Sequence, residues 1–194
     1  MLCLLLSLTS RFVFLTLLKN KKCLESICQD NFRQHSENFL FFLQKILKKT
    51  KYSLADIEKI YFTSLPGSQT GYRISLTFGL TLQVLNPQVK LYHLNSLLFQ
   101  VGESKAISLI SVDQKKTKYH ASVYQETKCL LKPQIIESIK IIKIQKKFPN
   151  YLIYEDFCLK AGDSPSQNSQ PINFWFNFQR LLPEFQLFDP QLIE

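Results

Sequence analysis

The chain has 194 residues, enough for one large domain or two small lobes with a real core. Apolar residues make up 45% and aromatic residues 13%, which excludes a disordered chain. Lys and Arg number 24 against 15 Asp and Glu, a net charge of +9 that suits a partner carrying phosphates or an acidic surface.

Leu2 to Leu8 and Phe12 to Leu18 imitate a signal peptide or membrane helix. No basic segment precedes them, Arg11 interrupts the run, and no small-x-small cleavage site follows. Short runs of Leu, Val, Phe and Thr broken by Ser, Arg and Asn suit buried strands instead. Strands are therefore predicted over Leu2 to Leu8, Phe12 to Lys19 and Lys22 to Cys28, a meander making the edge of a sheet. A helix is predicted from Ser36 as N-cap, with Glu37 in its first turn and Lys45, Lys48 and Lys49 toward its end. Phe39, Phe42, Leu43, Ile46 and Leu47 share one face of it, and Phe41 falls among the polar residues, where an exposed aromatic hints at a partner surface.

Asp56 to Ser64 gives a helical turn and a strand from Lys59 to Thr63. Leu65-Pro66-Gly67-Ser68-Gln69-Thr70-Gly71-Tyr72-Arg73 follows. Its Pro-Gly pair makes a turn, Ser68 and Thr70 can cap a helix, Gly71 allows close backbone approach, and Arg73 adds positive charge to an entrance that already attracts anions. Next, Ile74, Leu76, Phe78, Leu80, Leu82 and Val84 alternate with Ser75, Thr77, Gly79, Thr81 and Gln83, which is the strand pattern. Read as a helix, the segment carries two apolar stripes, Ile74, Phe78, Leu82 and Leu85 against Leu76, Leu80 and Val84. Asn86-Pro87 ends it, Val89 to Leu91 reads as a strand, and Asn95 or Ser96 starts another helix. The opening meander then repeats as Ala106 to Asp113, Lys118 to Tyr124 and Lys128 to Leu131, with Asn20 to Leu24 matching Glu126 to Leu130 at the second turn. Pro133 to Lys147 is predicted helical, Tyr151 to Tyr154 a strand, Ala161 to Gln170 a loop, and Ile172 to Leu182 an aromatic-rich helix.

Two ordered blocks, Arg33-Gln34-His35-Ser36-Glu37-Asn38-Phe39-Leu40 and Pro66 to Arg73, with Tyr52 to Tyr61 between them, resemble the TsaB (YeaZ) family at that family's spacing. The likeness is dense from about Arg33 to Val101, and Val112-Asp113 through Tyr124 follow the family's second strand block. It implies an α/β fold of the actin-like (ASKHA, ribonuclease H-like) class with duplicated βββαβα lobes, residues 1–101 carrying two partner-binding helices and 102–194 forming a smaller lobe. It also favours the helix over the strand for Ile74 to Leu85, with one stripe on the sheet and the other against the first helix and a second protein. The function implied is a non-catalytic scaffold that binds and activates a TsaD-like catalytic subunit. That subunit transfers threonylcarbamoyl to the tRNA adenosine next to the anticodon, giving N6-threonylcarbamoyladenosine (t6A). A TsaE-like ATPase would join, the chain alone would form a homodimer, tRNA would be reached through the complex, and the setting would be cytoplasmic without membrane contact. The implied interface is Leu40, Phe41, Leu76, Leu80 and Val84. Gly67, Ser68, Thr70, Gly71 and Arg73 form the anion- or nucleotide-facing turn; the chain would have no cofactor of its own, only a nucleotide at its junction with TsaD. Family members continue into a Pro-x-Tyr-x-Arg strand where this sequence ends at Leu192-Ile193-Glu194.

In nucleotide-hydrolysing relatives an aspartate ends the first strand and holds the magnesium water, and TsaB-like proteins usually show Asp-Thr-Ser there. The matching position here is near Leu8, with no carboxylate to orient a hydrated metal. Asp113 ends the equivalent second strand without an acid partner, and the single His35 does not make the paired-histidine motif of TsaD. His35, His93 and His120 are scattered, and Cys3, Cys23, Cys28, Cys129 and Cys158 include no C-x-x-C pair, which argues against a zinc site or disulfide framework. No catalytic or metal-binding residue is assigned. Two rivals stand beside the scaffold: a phosphotransferase using the Pro66 to Arg73 turn, which ATP turnover would reveal, and a membrane-tethered protein using residues 1–18, which fractionation would reveal.

Overall fold

The computed structural model describes residues 1–30, 35–113, 115–156 and 172–189. They fall into two compact units. The first takes in Met1–Ser64, Gln69–Leu94 and the chain from Phe185, and the second Leu65–Ser68 and Asn95–Glu184.

In the first unit, β1 (Leu2–Ser7), β2 (Phe12–Lys19) and β3 (Lys22–Asp30) form the expected antiparallel meander. Then come α1 (His35–Thr50), β4 (Lys59–Ser64), α2 (Gln69–Leu85) and β5 (Lys90–Asn95). The sheet order is β10-β5-β4-β1-β2-β3, with β4 parallel to β1 and β10 (Gln186–Leu187) antiparallel on the far edge. Every residue of β1 and all but the last of β2 are buried, which explains why these runs are apolar without alternation. Leu2 to Leu18 are therefore central strands, and the membrane-helix alternative for residues 1–18 is corrected. Among the described residues no helix is long and apolar enough to cross a membrane. Leu4, Leu6, Val13, Leu15, Ile60, Phe62 and Leu91 make one core with Phe39, Phe42, Leu43 and Ile46 of α1.

The second unit opens with α3 (Ser96–Val101), whose N-cap Asn95 accepts from the N–H groups of Leu97 and Leu98 at 2.9 and 3.3 Å. It continues with β6 (Lys105–Ser111), β7 (Lys118–Gln125), β8 (Lys128–Glu137), α4 (Ile141–Lys147), β9 (Leu152–Glu155) and α5 (Phe174–Leu181). Its sheet order, β8-β7-β6-β9 with β9 parallel to β6, repeats the β3-β2-β1-β4 order of the first unit. The chain thus has the duplicated α/β architecture of the actin-like class.

Several expectations are corrected. The helix predicted from Pro133 starts late: β8 runs through Pro133 to Glu137, and α4 follows a 3-10 turn, Ser138–Lys140. Pro133 is tolerated because β8 is an edge strand and its pairing shifts nearby, so the missing N–H breaks no regular ladder. α1 starts one residue before the expected N-cap Ser36. The boundary drawn at residue 101 also moves, since α3 belongs to the second unit and the chain from Phe185 returns to the first. Residues 161–170, read as a loop, and the last strand expected beyond Glu194 lie outside the described residues.

Candidate functional site

α1 is anchored by an apolar face, with Phe39, Leu43 and Ile46 no more than 2% exposed. Its basic end is tied down where Lys49 pairs with Glu25 of β3 at 2.6 Å, and Thr50 donates back to the Ile46 carbonyl at 2.8 Å. With that face on the sheet, Leu40 and Phe41 are turned outward at 57% and 60% exposure. Phe39 meets Phe78 edge to face with centroids 5.2 Å apart, which sets α1 beside α2.

α2 is seated differently. Its buried positions are Gly71, Ser75, Gly79 and Leu82, a stripe of mostly small residues. A Cβ on Gly71 would stand 1.7 Å from the Leu8 carbonyl oxygen, and one on Gly79 3.0 Å from a Leu91 methyl. Ser75 donates to the Gly71 carbonyl at 3.1 Å, so its buried hydroxyl is satisfied within the helix. The helix therefore sinks close to the sheet, and of its larger residues only Leu82 lies buried beneath it. Of the stripe Ile74, Phe78, Leu82 and Leu85, Leu82 is in the core and Ile74 and Phe78 pack against it, whereas Leu85 does not join it. Ile74, Leu76, Phe78 and Leu80 flank the core half-buried, and Leu85 stands 75% exposed. The outward arc carries Arg73, Thr77, Thr81 and Val84, the last 82% exposed. Gln83 fixes the end of the helix by donating to the Val89 carbonyl at 3.0 Å.

Of the residues expected at an interface, Leu40, Phe41 and Val84 are exposed on two adjacent helices, while Leu76 and Leu80 are shared with the core. Leu85 is exposed as well, although on the helical wheel it falls with Ile74 and Phe78 rather than with Val84. It lies in the last turn of α2.

The residues of the predicted turn divide. Leu65–Ser68 groups with the second unit, where Asn95 donates to the Leu65 carbonyl at 3.2 Å and the Ser96 hydroxyl donates to the Pro66 carbonyl. Gly67 has φ 139°, a conformation that needs glycine, and Leu65-Pro66 is cis. Ser68 immediately precedes α2, Thr70 is exposed in its first turn, and Arg73 is exposed on its outward arc. The close approach allowed by Gly71 is to the chain's own Leu8.

Just past β1, Leu8 is fully buried in the hydrophobic core of the first unit, between the hydroxyl-bearing Ser7 and Thr9 in the sequence. Thr9 and Thr63 share a hydrogen bond at 2.7 Å, and Thr63 donates to Ser7 at 3.3 Å. Asp113 accepts from the Thr117 N–H at 3.1 Å and its hydroxyl at 2.6 Å, and these bonds hold its carboxyl below the ordinary value. The buried Asp156 accepts from the Ser111 N–H at 3.0 Å, and Glu155 pairs with Lys116 at 2.8 Å and accepts from the Tyr119 hydroxyl at 3.0 Å. These acids close strand ends and turns. His93 stacks on Phe62 with centroids 6.1 Å apart and meets Phe188 edge to face at 5.5 Å, and burial lowers its pKa, as it does for His120. Among the described residues no three of His, Cys, Asp and Glu gather where they could hold a metal.

The family model for TsaD, tRNA N6-adenosine threonylcarbamoyltransferase, matches residues 28–146, more than half of the chain. An uncharacterized protein of Mycoplasma genitalium, MG208, is 32% identical over 123 residues, covering 62% of this chain and 61% of that protein. Its homolog in Mycoplasma pneumoniae is 32% identical over 126 residues, 63% of this chain and 60% of the homolog. The alignments thus take in about three fifths of these relatives' length. Among solved structures, YeaZ from Pseudomonas aeruginosa superposes with a TM-score of 0.53 at 17% identity, covering 70% of this chain and 66% of that one. An uncharacterized protein described as similar to peptidase YeaZ from the same organism superposes with a TM-score of 0.57 at 17% identity, with the same coverage. The chain belongs to the TsaD family of Gcp-like proteins, and its fold is that of the family's YeaZ (TsaB) members.

Proposed function

We propose that the chain is a non-catalytic scaffold that docks on and activates a TsaD-like catalytic subunit for threonylcarbamoyl transfer to the tRNA adenosine next to the anticodon. The observation that carries this reading is the outer surface of α1 and α2, where Leu40, Phe41, Val84 and Leu85 are 57%, 60%, 82% and 75% exposed. Apolar side chains on adjacent, well-anchored helices suit burial against another helical surface, and two such faces can supply the roughly 800 Å² per partner of a standard interface. With no partner available, the same surface suits pairing between two copies of the chain. The family match and the YeaZ fold support membership in a t6A-forming assembly. In that assembly a TsaE-like ATPase is the further protein, tRNA is the shared substrate, and any nucleotide sits where the chain meets TsaD. The hydroxyl-lined end of β1, with Leu8 in place of an acid, supports assigning the chemistry to the partner.

The test is co-purification with a TsaD-like subunit, comparing the native chain with Leu40→Glu, Phe41→Glu and Val84→Glu combined. The expected result is loss of the complex with a melting temperature close to native. Undiminished complex formation would refute the docking surface.

A further inference from the structure

We propose that the second unit carries an RNA-binding face made by α4 and the 3-10 turn that leads into it, a surface that holds the phosphate backbone of the substrate tRNA; this extends the scaffold reading and rests on it for the identity of the RNA. Between Lys128 and Lys147 stand six lysines, at 128, 132, 140, 143, 146 and 147, against Glu137 as the one acid. Five of the nine net positive charges of the chain thus fall within this stretch. All six lysines are exposed, and among the described residues none of them is in an ion pair.

The fold fixes how they are presented. Ile141 and Ile144 pack with Phe148 on the core of the second unit, so the inner side of α4 is committed. Lys140, Lys143 and Lys147 then recur at intervals of three and four residues, one stripe along an outward side, with Lys146 next to it. Edge-strand lysines such as Lys128 and Lys132 have a sufficient explanation in blocking strand addition. The four around α4 do not, because a helix presents no open edge. Lysine serves as a point charge for phosphate, and a row of them reads backbone rather than sequence.

Anionic lipid would also attract this charge, and Ile139 and Ile142 are 72% and 55% exposed beside the lysines. Those two side chains carry fewer carbons than one myristoyl chain, which alone anchors a protein only marginally. The charge, rather than the apolar component, is the dominant feature, and the proposed reaction supplies a polyanion.

The experiment titrates an unmodified tRNA transcript with the purified full chain across 50 to 200 mM salt, for the native protein and for Lys140→Gln, Lys143→Gln, Lys146→Gln and Lys147→Gln combined. Four lost phosphate contacts should flatten the slope of log affinity against log salt by about 3, so the native affinity should fall on the order of 50- to 100-fold more than the variant's over that range. Arginine at the same four positions should restore the native slope. Equal slopes for native and glutamine variants, no binding by the native chain, or flotation with phosphatidylglycerol vesicles in place of tRNA binding would each overturn the proposal. Co-purification of the glutamine variant with the TsaD-like subunit separates this outcome from failure of the docking reading, since α1 and α2 are untouched.

Discussion

Replacing Gly71 by alanine tests how α2 is seated, and Gly79 supplies the control. The added methyl at Gly71 meets the Leu8 carbonyl oxygen at 1.7 Å and its carbon at 2.6 Å, where ordinary contact begins at 3.4 Å. Both atoms are backbone of a fully buried residue just past the end of β1, so no rotamer change relieves the overlap and the start of α2 must lift by more than an ångström. Overpacking of this kind costs about 1–3 kcal/mol where side chains can yield, and about 4 where they cannot. Alanine returns up to about 1 kcal/mol of helix propensity, leaving a net loss of about 3. For a chain of this size that lowers the melting temperature by about 6–12 °C. At Gly79 the methyl would meet two Leu91 methyls at 3.0 and 3.2 Å, the ends of a flexible side chain. Gly79→Ala should therefore stay within about 1 kcal/mol of native. Thermal melts followed by circular dichroism decide it. A Gly71→Ala protein melting within 2–3 °C of native, or a Gly79→Ala protein falling equally far, would refute the close seating of the helix.

Asn177 donates to the carbonyls of Phe99 and Gln100 at 2.8 and 2.9 Å from a buried position, so Asn177→Leu strands two acceptors and should cost about 2–4 kcal/mol in urea denaturation. Thr63→Val removes the partner of the buried Thr9 hydroxyl and should cost about 1–3 kcal/mol by the same measurement. Burial lowers the pKa of His93 and of His120, so the native state favours the neutral rings. Their contribution is complete above the unfolded imidazole value of about 6.5 and is lost as pH falls below it, toward the lower folded values. The melting temperature should fall between pH 7 and 5.5, and less steeply in a His93→Gln, His120→Gln protein; an equally steep fall in that protein would assign the effect to other groups.

The strands were legible because β1 and β2 are buried on both sides and need no alternation, and because the meander is repeated in β6 to β8. The end of β8 was not legible. Ile135 and Ile136 belong to a strand, one 60% and the other 6% exposed, whereas Ile141 and Ile144 belong to a helix. A stretch in which isoleucine and lysine recur on both sides of Glu137-Ser138 hides where the period changes from two to 3.6. The outward position of Phe41 was readable on a helical wheel, since its neighbours there are lysines. The seating of α2 was not, because apolar stripes identify a buried face only when the buried residues are large.

The seating of α2 also accounts for the surface proposed for docking. Gly71, Ser75 and Gly79 let α2 approach the sheet so closely that the space beneath it is filled by its own backbone. A helix seated on small residues has room below for few large ones, and the rest of its Leu, Ile, Val and Phe must stand at the flanks or outside. The alternation of Ile74 to Val84 that imitates a strand is the trace of this arrangement, since small or hydroxyl-bearing residues separate larger ones that serve both the flank and the exterior. Tight seating holds Val84 in a fixed place, and the same small residues that seat the helix leave Val84 without cover from its own unit. Leucines in place of Gly71 and Ser75 would lift the helix from the sheet and misplace that surface, so a stability defect and a docking defect should appear together at these two positions and separately at Leu40, Phe41 and Val84.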